Sequence, residues 1–600
     1  MLETFRRLLI VLTPRQRRHC GYVFALILIG GAIEMMGVAS IMPFMTVLSD
    51  PEAVVQNEQM RALYELTGFT SADSFVIFLG VCFVLIFTLS ICVRAVSEWA
   101  QLRFTKMRVH SIGSELKKKY LGQPYSWFLR QHSSRLATII LGEVNQAISK
   151  SLFPAMQLVA SVILAVMLTA ILLVLAPTVA VSAMLFLAVS YGVIYLIVRR
   201  PLLELGRKRY LSNVERYRVT QETFAGIKDV KVLCLEKNML QRFMKPSYDT
   251  AHHEVRATIL GRLPAYLMQI VGFSGIVLVL LYLIATLGSM EAALPTFSVF
   301  ALAGYRLMPT LQQIYRNAAS LRENTAALDN LIRDYRTLDA LPQVQLDDQP
   351  RLDPPTQAIE LRDVSFRYPE AQVRALEDID IRIPIFNRVG LVGATGSGKT
   401  TLVDIILGLL EPESGSVIVD SLEIDSSNVR RWRRCIGYVP QQIFLADDTV
   451  AANIAFGLAH KQIDLDAVER AARIANLHEF VTTQLPDGYQ TKVGERGVRL
   501  SGGQRQRIGI ARALYCDPDV LVMDEATSAL DNATEKAVMG AVENLGGKKT
   551  VVLIAHRLST VMSCDRIYML EGGRVAASGT YSELIDKSED FRYMAGLESA

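Results

Sequence analysis

The sequence predicts a polytopic α-helical membrane domain of six spans followed by an α/β domain, and three observations carry that expectation. Long apolar runs are confined to the first half of the chain. Of the 600 residues 51% are apolar and only 20% are charged, against about 25% charged in an ordinary soluble domain. The second half instead alternates short apolar strands with glycine-rich turns and helical stretches.

Six runs reach the roughly 20 apolar residues that a crossing of the hydrocarbon core needs. They are 21–48, 74–93, 155–176, 178–198, 265–287 and 295–316, with a tight outer turn expected at Pro177. Basic residues are retained on the cytoplasmic side of spans. Residues 101–151 hold nine bases against Glu115 and Glu143, and 199–263 hold fourteen against seven acids. By contrast 49–73 carries five acids, Asp50, Glu52, Glu58, Glu65 and Asp73, against Arg61 alone. Both termini are therefore expected in the cytoplasm, and the acidic loop outside. The Arg-rich residues 1–19 read as an interfacial helix in preference to a transit peptide. In 51–70, Val54, Met60, Leu63, Leu66 and Phe69 recur at near-helical spacing and predict a short amphipathic helix on the outer surface. The two long inner loops are expected to extend the membrane helices and turn back through crosswise helices near 125–133 and 221–228.

Lys plus Arg number 63 and Asp plus Glu 59, giving +4, a balance that gives no reason to expect nucleic acid as partner. The seven cysteines are scattered without a CxxC pair and read as reduced apolar fillers.

The membrane domain is expected over 1–340, a Pro- and Asp-rich linker over 341–358, and a second domain over 359–600. In that domain IELRDVSFRYP alternates like an edge strand, and two more strands lead into Gly393-Ala-Thr-Gly396-Ser-Gly398-Lys399-Thr400-Thr401. This matches GxxxxGK[ST] between an apolar strand and a helical run, the pattern of a phosphate-binding loop. Glycines let the backbone amides point at phosphate oxygens, and the next helix adds its positive N-terminal dipole. Lys399 is placed to reach the β- and γ-phosphates, and Thr400 to offer its hydroxyl oxygen to Mg²⁺. Further on, Val520-Leu-Val-Met-Asp524-Glu525 reads as a buried parallel strand ending in two carboxylates. Asp524 suits the Mg²⁺ shell, and Glu525 suits polarising an attacking water. Between these motifs Ser501-Gly502-Gly503-Gln504 opens a second helix with an anion-seeking start.

LSGGQ between those two motifs resembles the ATP-binding cassette (ABC) family, and the six preceding spans resemble its exporter-type half-transporters. The resemblance implies a homodimer in which each ATP lies between the phosphate loop of one chain and the LSGGQ of the other. It implies that Tyr368 stacks on adenine and that Gln441, or its neighbour Gln442, contacts Mg²⁺. It further implies that Asp531 lies in the segment crossing the dimer seam, and that His556 is the switch histidine on the γ-phosphate. Thr491-Lys492-Val-Gly494-Glu495-Arg496-Gly497 resembles the exporter TEVGERG segment, but Lys492 replaces the usual acid and puts ionic coupling there in doubt.

Ionisable groups within spans are costly and face a cavity or a partner. Glu34 lies in the first span, Arg306 in the sixth, and Arg94 and Arg262 near the inner ends of the second and fifth. These arginines would make a basic cavity for an anionic head group such as pyrophosphate; alternatively Glu34 neutralises Arg306, and Arg94 pairs with Glu98. GVASIMPF, QPYSWFLRQHSSRL and AGYRLMPTLQQI resemble the lipid-linked oligosaccharide flippases of bacterial protein glycosylation, which implies a polyprenyl-pyrophosphate glycan as cargo and the cell inner membrane as location. A general lipid or multidrug exporter is the alternative. A peptide or protein exporter is less expected, because the chain starts directly at its first span. A soluble ABC ATPase does not fit six spans, and a channel does not fit an intact Glu525.

Overall fold

The computed structural model describes residues 13–49, 58–67, 69, 71–131, 136–137, 139–175, 177–287, 290–339, 349–369, 371–525, 532–543, 548–555 and 558–595. The chain divides into two compact units, Met1–Leu121 with Gln131–Gln343, and Gly122–Arg130 with Val344–Ala600.

The first unit is helical. It runs α1 (Pro14–Ala39), α2 (Ile41–Ser49), α3 (Glu58–Thr67), α4 (Ala72–Leu121), α5 (Leu152–Leu175), α6 (Pro177–Ala225), α7 (Glu236–Leu287), α8 (Met290–Glu323) and α9 (Thr325–Asp339). Helices therefore occupy all six expected runs. Three segments, Pro14–Leu48, Asp73–Leu121 and Ile139–Val174, are by length and composition long and apolar enough to cross a membrane among the described residues. Pro177 begins α6, where its fixed φ and missing N–H cost nothing. Helices α4, α6 and α7 have 50, 49 and 52 residues, about 75 Å each at 1.5 Å per residue, so they outrun the roughly 30 Å hydrocarbon core. Ile77, Val84, Leu85 and Leu89 of α4 are exposed, an apolar outer face that suits lipid as solvent. Inside, Val38 of α1, Leu164 and Leu168 of α5 and Ala303 and Leu307 of α8 form a buried cluster.

Two sequence expectations shift in this unit. The second crosswise helix lies at Ile227–Val232: residues 221–225 still belong to α6, and the helix is interrupted at Gly226, whose φ of −100° and ψ of 28° leave the α region. In α3 the packing residues are Met60 and Tyr64, one turn apart, which join Phe69 against buried Val47, Phe75 and Leu79. Leu66 points outward instead and is 85% exposed. Residues 1–12 and 50–57, parts of the expected interfacial and outer helices, lie outside the described residues.

The second unit holds two sheets. Strands β1 (Ala358–Phe366), β2 (Leu376–Pro384), β3 (Arg388–Gly393), β4 (Ser414–Val419), β5 (Leu422–Glu423), β6 (Ile436–Val439), β7 (Val520–Asp524), β8 (Thr550–Ile554), β9 (Arg566–Glu571) and β10 (Arg574–Gly579) follow in sequence. The antiparallel sheet has the order β2-β1-β4-β5, so β1 is an interior strand rather than the expected edge. Its alternation reflects register shifts beyond Leu361 that let exposed Arg362 and Asp363 interrupt a buried strand. The other sheet has the order β10-β9-β3-β8-β7-β6, parallel from β9 to β6. Strand β7 is buried at every residue, as its apolar run predicts. The short helix Tyr125–Phe128 clusters with this unit.

Candidate nucleotide site and intramembrane charge cluster

The phosphate loop joins β3 to α10 (Lys399–Ile406). Gly398 caps α10 at φ 101°, and a Cβ there would meet Ala375 O at 2.8 Å and Leu376 Cδ2 at 2.7 Å. At Gly393 a Cβ would fall 2.2 Å from Leu570 O. The loop therefore closes only with glycine at both positions. Lys399, 6% exposed, donates from Nζ to Gly393 O at 2.9 Å and Ala394 O at 2.8 Å. Burial lowers its pKa, while Glu525 and Asp524 act the other way. The buried Ser397 hydroxyl has no protein partner, a further polar atom in this loop free to meet a phosphate oxygen. Gly396 and Thr400 are exposed at the loop surface.

The two carboxylates stand at the end of β7, neighbour to β8, and β8 in turn pairs with β3. Asp524 is buried. Glu525 adopts φ 47°, uncommon for a non-glycine residue, and is held there on three sides: its N–H donates to Ile554 O at 3.1 Å, its carbonyl accepts from Gln506 Nε2 at 3.2 Å, and its Oε2 accepts from Gln441 Nε2 at 2.8 Å. That bond places Gln441, not Gln442, at the carboxylate. Tyr368 shares a hydrogen bond with the Thr401 hydroxyl at 3.0 Å and meets Phe366 edge to face, so Thr401 turns toward the tyrosine.

Ser501, Gly502, Gly503 and Gln504 open α11 (Gly502–Tyr515) through a capping box: Ser501 Oγ accepts from Gln504 N at 3.2 Å, and Gln504 Oε1 accepts from Ser501 N at 2.8 Å. Asp531 and His556 lie outside the described residues. Among the described residues no group of three or more His, Cys, Asp or Glu could hold a metal by itself. Thr400, Asp524 and Gln441 carry hydroxyl, carboxylate and amide oxygens, the donor types that would suit Mg²⁺ together with phosphates.

The sequence did not single out Asp404 or Gln506. Asp404 sits in α10, and its carboxyl is pushed up to about 6 by burial and then by Asp524. An acid inside the apolar run Leu402–Leu410 was the available signal. A raised carboxyl favours the fold below the ordinary range near pH 4 and loses that contribution as pH rises through its folded value. Asp404→Asn is therefore expected to melt higher than the parent at pH 7.5 and to lose the advantage below about pH 4. Scanning calorimetry at both pH values checks this, and an equal advantage at each would remove titration as the cause.

In the first unit, Glu34 Oε1 accepts from Arg306 Nη1 at 3.1 Å and from Arg94 Nη1 at 3.4 Å. Arg94 thus pairs with Glu34 rather than with Glu98: its partner lies across the helix pair, not one turn along α4. Glu34 and Arg306 side chains are 7% and 11% exposed. The Arg306 guanidinium lies 4.7 Å from the Phe87 ring centre. Arg262 is exposed on α7 and takes no part in the cluster.

A glycine-closed phosphate loop beside a carboxylate pair, on a chain with a bundle of long apolar helices, defines a membrane transporter driven by ATP hydrolysis. The chain belongs to the ABC transporter family: the family model for the ABC transporter matches residues 376–528, and that for the ABC transporter transmembrane region matches 20–307. It is 32% identical over 511 residues to an ATP-dependent lipid A-core flippase of Burkholderia pseudomallei (strain 1710b), covering 84% of each chain. It is 37% identical over 370 residues to an ATP-dependent lipid A-core flippase of Saccharophagus degradans, covering 62% of this chain and 61% of that one. The fold is similar to that of a bacterial Atm1-family ABC exporter with ATP bound, at TM-score 0.73 and 21% identity, covering 97% and 98% of the two chains. The exporter-type arrangement and the α/β nucleotide-binding domain are thereby those expected from the sequence.

Proposed function

We propose that the chain works as a homodimeric, ATP-driven flippase moving a lipid-linked oligosaccharide, a polyprenyl pyrophosphate glycan, from the inner to the outer leaflet. It would sit in the cell inner membrane with the nucleotide-binding domain and both termini in the cytoplasm, as the basic inner loops support. The observation that carries the cargo reading is the cluster of Arg94 and Arg306 on the single carboxylate of Glu34. Two guanidiniums on one carboxylate leave that three-residue cluster with a net positive charge, which an anionic head group would balance. The relatives named as lipid flippases support a lipid cargo.

In this reading the loop from Gly393 to Thr401 takes the phosphates of ATP, with Lys399 on the β- and γ-phosphates and Tyr368 against adenine. Thr400, Gln441 and Asp524 hold Mg²⁺, which when bound offsets phosphate charge. Glu525, fixed by Gln441, orients the attacking water. Ser501, Gly502, Gly503 and Gln504 of the second copy cover the γ-phosphate from the other side. Asp531 and His556 are assigned to the seam and the γ-phosphate on their sequence positions alone.

A second reading, movement of a lipid A-core, is favoured by the activity for which the relatives are named. A leaflet-accessibility assay in proteoliposomes separates the two. Sugar-bearing polyprenyl pyrophosphate and lipid A-core are offered in parallel, and ATP-dependent movement of the first alone is expected. Movement of lipid A-core alone overturns the proposal in favour of the second reading.

A further inference from the structure

Beside the Glu34 cluster, in the seam where α1 and α4 face α5 and α8, lies a half-enclosed cavity of about 60 Å³. At about 10–15 Å³ per water, it has room for roughly four to six waters, or for the edge of one sugar ring. Glu34 and Arg94 form one end, and Ser97, Glu98, Gln101, Gln157, Ser161 and Gln313 supply polar groups along its walls. Gln101 is 2% exposed; its Nε2 donates to Ser97 Oγ at 3.2 Å, while its Oε1 is buried with no protein partner. Ser161 Oγ donates to Gln313 Oε1 at 3.3 Å, which leaves the Gln313 NH₂ as the donor side of that amide.

The chemistry of these walls selects the occupant. Among the lining residues Arg94 alone is cationic, so an anionic group would be held only at that end, and the remaining walls suit a neutral group. These walls offer acceptors and donors together, and the neutral group that accepts and donates from a single atom is a hydroxyl. A buried acceptor such as Gln101 Oε1 costs free energy until a donor reaches it. A hydroxyl-bearing ring in the cavity would stand next to the guanidinium of Arg94, which shares the Glu34 carboxylate with Arg306.

We propose that this cavity is a subsite for the hydroxyls of a sugar directly joined to a phosphate group, the phosphate lying toward Arg94 and Arg306. The inference rests on the lipid-linked sugar reading above and deepens it: the recognised unit is a glycosyl phosphate, and a phosphate without its sugar fills only half of the site.

The test uses the full-length protein in proteoliposomes with cysteine placed at Ala160, a cavity wall residue without a polar role. The rate at which hydroxyethyl methanethiosulfonate modifies Ala160→Cys is followed by mass spectrometry. Polyprenyl pyrophosphate carrying one sugar is expected to slow labelling at least tenfold, and sugar-free polyprenyl pyrophosphate less than twofold. Adding Gln101→Leu or Gln313→Leu is expected to bring the two lipids within twofold of each other. Equal protection by both lipids, or protection by neither, overturns the subsite. Transport is scored separately in the same vesicles: protection without flipping leaves the subsite standing and sinks the cargo reading, whereas flipping without selective protection does the reverse.

Discussion

Glu525→Gln is expected to bind ATP and hydrolyse it at least tenfold more slowly, about 1.4 kcal/mol in barrier height. The expectation follows from how the side chain is fixed. Glu525 closes a strand whose five residues are buried, its backbone is tied at both N–H and carbonyl, and its Oε2 is taken by Gln441 Nε2. An amide at this position keeps the size of the carboxylate but removes the negative charge that would polarise water in the proposed role. The carbonyl oxygen of the new amide still accepts from Gln441, so nucleotide binding is expected to persist. Steady-state phosphate release together with nucleotide retention on a filter reads both effects. Unchanged turnover would show that another group positions the water.

Arg306→Ala is expected to lower ATP-dependent flipping of a pyrophosphate-linked glycan at least tenfold, which corresponds to about 1.4 kcal/mol or more of lost interaction. The geometry explains why the fold should survive. Glu34 keeps Arg94 as a partner at 3.4 Å, so no buried carboxylate is stranded, the condition that makes removal of one member of a buried pair severely destabilising. Two guanidiniums on one carboxylate carry +1, whereas the single remaining pair is neutral and has no spare charge for a phosphate. Arg306→Lys restores the charge but not the forked donors, and is expected to recover part of the rate. Full flipping by Arg306→Ala would mean that the cluster only braces α1 against α8.

The nucleotide site was legible because its parts are short, contiguous and governed by backbone geometry. Gly393, Gly398 and Lys399 lie within seven residues, and the steric demand for glycine at two of them follows from the loop itself. Contacts made across the fold were not legible in this way. Gln506 reaches the Glu525 carbonyl from a helix 19 residues away, and nothing in its amphipathic run distinguishes it from a neighbour. The interior position of β1 was obscured because charged Arg362 and Asp363 fall at a register shift. In the membrane unit, spacing identified Glu34 and Arg306 as costly residues, but only packing shows that Arg94 shares the same oxygen. The second crosswise helix slipped because α6 continues through 225 before Gly226 ends it.

Residues 122–130 belong by contact to the same unit as 344–600. The polypeptide therefore passes between its two bodies three times, after Leu121, after Arg130 and after Gln343. A fragment starting at Val344 would therefore lack part of that unit, because nine of its residues, 122–130, are supplied from within the helical half of the chain.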